Sequence, residues 1–128
     1  MPAHAPSIAL LQNDPGTLQV LTRVLQGQGY AVEAFDRADA LINSPALGRF
    51  DCLLLDNVLQ GMSGLSLLEY LQEMGHALPT IFMTASDDEP LRVRAYHLGC
   101  SDFLNKPFRC CDLVGAITMA MAGPHSHC

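Results

Sequence analysis

Three side chains of different chemistry occupy comparable places in the chain, each closing or just following a short apolar run. Asp56 follows Cys52-Leu53-Leu54-Leu55, Thr84 follows Ile81-Phe82-Met83, and Lys106 lies just past Asp102-Phe103-Leu104. If those runs are neighbouring strands of one sheet, a carboxylate, a hydroxyl and an ammonium converge on one pocket. Such a trio suits attack by the carboxylate on a phosphoryl group, forming an aspartyl phosphate, while the lysine and the hydroxyl hold the equatorial oxygens as charge redistributes. A fourth place of the same kind, the end of Ser7-Ile8-Ala9-Leu10-Leu11, carries two amides, Gln12 and Asn13.

Other reactive residues point to less. The five cysteines, Cys52, Cys100, Cys110, Cys111 and Cys128, are odd in number and irregular in spacing, which is free-thiol usage in a reducing compartment rather than a disulfide framework. Cys110-Cys111 opens a helical segment where the dipole favours a thiolate, but small residues are ordinary there. His125, His127 and Cys128 match metal ligands by type alone and stand on a terminal tail.

The elements that must position the trio follow from hydrophobic patterning. Short apolar runs alternate with longer amphipathic ones, the signature of strand–helix units around a parallel sheet. Strands are expected over Ser7 to Leu11, Ala31 to Phe35, Cys52 to Leu55, Thr80 to Thr84 and Asp102 to Leu104. The middle ones are continuously apolar, as strands covered on both faces must be. The first helix opens at Asp14-Pro15, an N-cap acid before a proline, and carries Leu18, Leu21, Val24 and Leu25 on one face. A second, weaker helix follows Asp36 and stops near Pro45. The third runs from about Gly64 to Met74 with Gly75 as its stop. The fourth begins near Asp87-Asp88-Glu89-Pro90, with Leu91, Ala95 and Leu98 inward, and the fifth repeats Leu113, Val114, Ile117 and Met121. Right-handed crossovers then give an open doubly wound sheet, whose ligands sit beyond the carboxyl ends of the strands.

Composition agrees with one globular domain. The chain has 128 residues, 49% apolar and 16% charged, enough to bury one core. Seven basic against thirteen acidic side chains leave a net charge of -6 and no basic stripe for a phosphate backbone, so no direct nucleic-acid contact is expected. The first Lys or Arg is Arg23, unlike the charged start of a signal peptide, and no apolar run approaches the roughly 18 residues of a membrane span. The expected setting is cytoplasmic, without membrane contact.

The segments Asp56-Asn57-Val58-Leu59-Gln60-Gly61-Met62-Ser63-Gly64, Ile81-Phe82-Met83-Thr84-Ala85 and Gly99-Cys100-Ser101-Asp102-Phe103-Leu104-Asn105-Lys106-Pro107-Phe108 resemble the receiver domain of bacterial two-component response regulators. The resemblance extends from Ser7 to about Ala122 and implies a receiver over residues 1–122 with a C-terminal tail over 123–128. It implies an α/β fold: a doubly wound (βα)5 five-stranded parallel sheet of the flavodoxin-like, CheY-like type with strand order 2-1-3-4-5. It makes Asp56 the phosphoacceptor, Thr84 the switch hydroxyl, Lys106 its phosphate-pairing lysine and Phe103 the aromatic switch. Val58 matches the position whose carbonyl contributes to a metal site, and Lys106-Pro107 matches a bond usually cis in the family.

Two positions depart from that pattern. Receivers normally end their first strand with two adjacent acids that hold Mg²⁺ together with the phosphoacceptor; this chain has Gln12 and Asn13. Gln60 stands where proline is common. Mg²⁺ needs oxygen ligands whose charge repays its reluctant dehydration. At an effective dielectric near 20, a unit charge pair about 4 Å apart is worth about 4 kcal/mol before desolvation, and a divalent ion doubles that. A degenerate site of Gln12, Asn13, Asp56 and Val58 is therefore expected to hold Mg²⁺ weakly or not at all. Asp14 reads as a helix cap rather than a replacement ligand, and Asp87, Asp88 and Glu89 as complements to a helix dipole.

The expected function is a two-component receiver that is weak in Mg²⁺-dependent phosphorylation, pairs Asp56 directly with Lys106, and acts through protein contacts rather than as an enzyme. The alternative is a fully competent phosphoacceptor switched by a histidine kinase. A flavodoxin-like cofactor-binding protein is the remote third reading, since Gln12-Asn13-Asp14-Pro15-Gly16 offers one glycine where a phosphate loop needs several. The resemblance implies a sensor histidine kinase or phosphotransfer protein as partner. It also implies an output face of helix 4, strand 5 and helix 5, here with Arg92, Arg94, Tyr96, Phe103 and Arg109, through which a homodimer would form.

Overall fold

The computed structural model describes residues 6–76, 78–85 and 89–122. Asp87 and Asp88, and the tail with His125, His127 and Cys128, lie outside the described residues. In chain order the elements are β1 (Ser7–Leu11), α1 (Pro15–Gly27), β2 (Ala31–Phe35), α2 (Ala38–Ile42), a 3-10 turn (Leu47–Arg49), β3 (Cys52–Asp56), α3 (Gly64–Glu73), β4 (Thr80–Thr84), α4 (Glu89–His97), β5 (Asp102–Asn105) and α5 (Cys110–Ala122). All strand pairs are parallel, in the order β2-β1-β3-β4-β5. This is the expected doubly wound sheet.

The pleat sends alternate residues to two separate cores. Leu11, Leu53, Leu55 and Phe82 pack on the side of α2, α3 and α4, against Leu41, Leu68, Leu71 and Ala95. Ile8, Leu10, Leu54, Ile81 and Met83 pack on the other side, against Leu21 and Leu25 of α1 and Leu113 and Ile117 of α5. Every residue of β3 and β4 is buried, which is why those strands read as unbroken apolar runs.

Helix ends place the loops around the site. Asp14 caps α1, its Oδ2 accepting from the Thr17 N–H at 2.9 Å and from Thr17 Oγ1 at 2.6 Å. The Thr17 hydroxyl and then its N–H hold the Asp14 carboxyl below its ordinary range. Ser63 caps α3 through the Ser66 N–H, and the Gly64 N–H donates to the Asn57 carbonyl at 2.8 Å. A Cβ at Gly64 would meet the Asp56 carbonyl oxygen at 2.4 Å, so α3 begins in a contact with the end of β3 that only glycine permits.

Some boundaries differ from expectation for local reasons. The ladder carries β3 one residue further, to Asp56, and β5 one further, to Asn105. The α2 helix is only 5 residues long, and the chain crosses Pro45 into a 3-10 turn that buries Leu47. In α4 only Ala95 is fully covered, while Leu91, and Leu98 just past the helix, are half-buried. In α5, Ala116 and Ala120 join the buried face because close helix–sheet approach favours small side chains there.

Candidate functional site

Register brings the strand ends together. Leu11 lies beside Leu55, Asp56 beside Met83 and Thr84 beside Asn105, so the residues that follow β1, β3, β4 and β5 surround one cavity. It has a volume of about 250 Å³ and is lined by Gln12, Asn13, Asp14, Asp56, Val58, Ala85 and Lys106.

Asp56 is 4% exposed, and both carboxylate oxygens accept hydrogen bonds. Oδ1 accepts from the Val58 N–H at 3.0 Å. Oδ2 accepts from Gln12 Nε2 at 2.9 Å and forms an ion pair with Lys106 Nζ. The direct Asp56–Lys106 pair expected from the sequence is present. Lys106 is delivered by its own N–H, which donates to the Thr84 carbonyl at 2.8 Å, and the Lys106-Pro107 bond is cis. Thr84 is 3% exposed at the end of β4, and the neighbouring Ala85 forms that part of the cavity wall.

The two amides after β1 diverge. Gln12 is 3% exposed and tied at both ends of its carboxamide, since Oε1 also accepts from the Asp14 N–H at 3.2 Å. Asn13 points to the rim, where Oδ1 accepts from Gln60 Nε2 at 3.3 Å. Gln60 Oε1 in turn accepts from Arg37 Nη1 at 3.0 Å, and the Arg37 Nε pairs with Asp39 at 3.0 Å. The part played by Arg37 was not legible beforehand, because no motif marks it.

Phe103 does not line the cavity. It is 8% exposed and stacks on Phe82, with ring centroids 5.5 Å apart and planes 4° from parallel. Tyr96 also lies against it, ring centroids 6.4 Å apart, its hydroxyl donating to Asp102 Oδ1 at 3.3 Å. Burial, then the Asp102 carboxylate, pushes the Tyr96 phenol above its ordinary range. Of the aromatic and basic residues assigned to the output face, Phe103 thus faces inward, whereas Arg92, Arg94, Tyr96 and Arg109 are exposed.

The model of the response regulator receiver domain matches residues 8–118. The chain belongs to this family. Among curated relatives, the receiver is 36% identical over 121 residues to the response regulator protein TodT of Pseudomonas putida, an alignment covering 94% of this chain and 53% of TodT. It is 31% identical over 119 residues to the transcriptional regulatory protein TdiR of Thauera aromatica, covering 93% of this chain and 52% of TdiR. The chain thus spans about half the length of the curated relatives it matches. Among solved structures, the non-phosphorylated HemR receiver domain of Leptospira biflexa superposes with a TM-score of 0.84 at 27% identity, over 91% of this chain and 94% of that one. The response regulator StyR superposes with a TM-score of 0.86 at 31% identity, over 96% of this chain and 62% of that one. Receivers and the relatives named here are regulators rather than enzymes, and receivers work with histidine kinases or phosphotransfer proteins.

Receivers typically bind Mg²⁺ at the phosphorylation site. Here the groups facing Asp56 Oδ2 are an amide N–H and an ammonium, both proton donors, and the oxygens of Gln12 and Asn13 each accept from another donor. Among the described residues no buried side-chain nitrogen or oxygen lacks a partner, and no three Asp, Glu, His or Cys side chains cluster as a metal site. Among the described residues, no helix is long and apolar enough to cross a membrane.

Proposed function

We propose that residues up to 122 form a receiver unit whose Asp56 stands at the phosphoacceptor position yet takes up phosphate poorly, the domain acting mainly through protein contacts. One observation carries this reading: Asp56 Oδ2 is held by the Gln12 amide and the Lys106 ammonium, where a divalent cation would need further anionic oxygen. A phosphoryl group brings roughly -1.5 to -2 charge, and one lysine does not balance it. The donor set does not suit Mg²⁺. In this reading Lys106 neutralises Asp56, Thr84 and Phe103 keep the switch positions, and Gln12, Asn13 and Val58 form a degenerate metal site. Transfer onto Asp56 would modify the domain itself, which is not turnover by an enzyme.

A competent phosphoacceptor is favoured by one specific feature, the joint placement of Asp56, Thr84 and Lys106 at adjacent strand ends. Incubation with acetyl phosphate and Mg²⁺, read by intact mass, separates the two. The weak-acceptor reading expects a small fraction of singly phosphorylated chain; stoichiometric addition that disappears in Asp56→Asn overturns it.

A sensor histidine kinase or phosphotransfer protein would dock over the cavity rim, where Val58 is 65% exposed. Output, or a homodimer, would use the α4–β5–α5 face, on which Val93 is 56% and Met119 75% exposed beside Arg92, Arg94 and Arg109. The free thiols Cys52, Cys100, Cys110 and Cys111 support a reducing, cytoplasmic setting.

A further inference from the structure

We infer that Asn13 and Gln60, with Arg37 behind them, are positioning residues that hold the loops around Asp56 in the arrangement an ion would otherwise impose. This rests on the reading of Asp56 as the phosphoacceptor-position carboxylate in a site poor in metal.

Three loops meet on the cavity rim, those after β1, β2 and β3. Gln60 joins all of them, because both ends of its carboxamide are used: Nε2 donates to Asn13 Oδ1 at 3.3 Å and Oε1 accepts from Arg37 Nη1 at 3.0 Å. A backbone bridge pairs Arg37 with Gln60 in parallel, and Asp39 orients the guanidinium from behind. Gly61, at φ +95, lets the chain turn beneath that guanidinium, where a Cβ would meet Arg37 Nη2 at 3.6 Å. The strap therefore has side-chain and main-chain components that agree.

Its position gives it a task. Asn13 is the immediate neighbour of Gln12, whose amide holds Asp56 Oδ2, and Gln60 lies two residues after Val58, whose N–H holds Oδ1. Tying Asn13 to Gln60 fixes the two donors that define the carboxylate's orientation relative to one another. A cation chelated between the loops would do the same through oxygen ligands. Here oxygen faces N–H, and the cross-link closes without any ion. Glutamine answers both ends as they stand: alanine and proline lose both contacts, whereas glutamate keeps the acceptor for Arg37 and reaches Asn13 only if that amide turns to present Nδ2. Each of these exposed bonds is weak in water by itself, but together they act on loops that the sheet already holds close.

Hydrogen exchange of the amides over residues 57–62, followed by mass spectrometry on the full chain, tests the strap. In the unaltered chain, exchange is expected to be the same with Mg²⁺ and with chelator. Asn13→Ala is expected to speed local exchange about fivefold and Gln60→Ala, which also drops Arg37, at least as much; the double variant should go no further than Gln60→Ala, because both changes cut the Asn13–Gln60 link. Gln60→Glu, which keeps the contact with Arg37, is expected to speed exchange over residues 57–62 less than Gln60→Ala. In a chain carrying Gln12→Asp, Asn13→Asp and Gln60→Ala, Mg²⁺ is expected to return exchange to the original rate and chelator to undo it, an effect that a purely structural glutamine would not produce. Unchanged exchange in both Gln60 variants, or additive effects of the two alanines, overturns the strap. Failure of the functional reading is distinct: it is seen as stoichiometric phosphorylation of the unaltered chain, whatever the loop exchange.

Discussion

Gln12 Nε2 lies 2.9 Å from Asp56 Oδ2, the same oxygen that receives the Lys106 ammonium, and both Gln12 and Asp56 are almost wholly buried. A buried carboxylate needs its charge answered by donors. The site does so from within the chain, using one neutral side-chain donor, one backbone N–H and one cationic donor in place of an external ion.

Removing the neutral donor should therefore be costly. Gln12→Leu keeps the volume but strips Asp56 of a hydrogen bond to a charged group, and a loss of about 1.5–3 kcal/mol is expected. Urea unfolding followed by circular dichroism reads this directly. Gln12→Glu places a second carboxylate on the first, so its stability should fall in chelator and recover in millimolar Mg²⁺. A Gln12→Glu chain indifferent to Mg²⁺ would show that charge is not what the site lacks.

Removing the cationic donor tests the other half. Lys106 keeps 26% of its side chain exposed while Asp56 keeps 5%, so solvent softens the penalty of an unanswered charge. Lys106→Met is expected to cost about 2 kcal/mol, below the range for a fully enclosed pair. Adding Asp56→Asn to Lys106→Met should win back part of that loss, because the orphaned charge is gone. If the double variant is as unstable as the sum of the two single ones, the pair is not coupled.

Much of this architecture was legible beforehand, for identifiable reasons. Asp14-Pro15 marks the start of α1 because an acid cap and a fixed φ are both local properties, and the unbroken apolar run at β3 reports burial on both faces. That Asp56 and Lys106 meet in one cavity, with Thr84 closing the neighbouring strand, followed from parallel topology. What the spacing does not encode is side-chain direction beyond a strand end, where the period of two no longer applies. Gln12 and Asn13 looked equivalent, yet one enters the cavity and the other turns to the rim. Arg37 was silent because its contact with Gln60 spans 23 residues and depends on how two loops pass each other. Phe103 was assigned to the surface face, whereas the parallel ring of Phe82 draws it inward.

That aromatic stack makes a prediction of its own. Phe103→Ala removes a buried ring that contacts both Phe82 and Tyr96, and a loss of about 3 kcal/mol is expected from the cavity and the lost ring contacts. Tyr96→Phe keeps the ring contact and deletes only the hydroxyl that donates to Asp102, so it should cost less than about 1 kcal/mol. Thermal denaturation of both variants checks the ranking. A Tyr96→Phe chain less stable than Phe103→Ala would place the hydroxyl, not the stack, at the centre of this cluster.

The thiols respond to pH with a definite sign. Burial pushes both Cys52 and Cys100 up to about 12 from an ordinary value of 9.0, whereas Cys110 and Cys111 are exposed on α5. Between about pH 9 and 12 the unfolded chain releases these two protons while the folded chain retains them. The unfolded state then binds fewer protons, so folding stability falls as pH rises through this window, by at most about 1.4 kcal/mol per pH unit for each thiol. Below pH 9 both states keep the protons and the thiols impose no slope. Comparing urea midpoints at pH 8 and pH 10.5 for the unaltered chain and for Cys52→Ala/Cys100→Ala isolates this contribution. The double variant should show the shallower decline. Native labelling with an aromatic disulfide at pH 8 gives a second reading, since Cys110 and Cys111 should react at once and Cys52 and Cys100 only after unfolding. Prompt reaction at Cys52, in the middle of the sheet, would contradict its burial and remove the basis for the predicted slope.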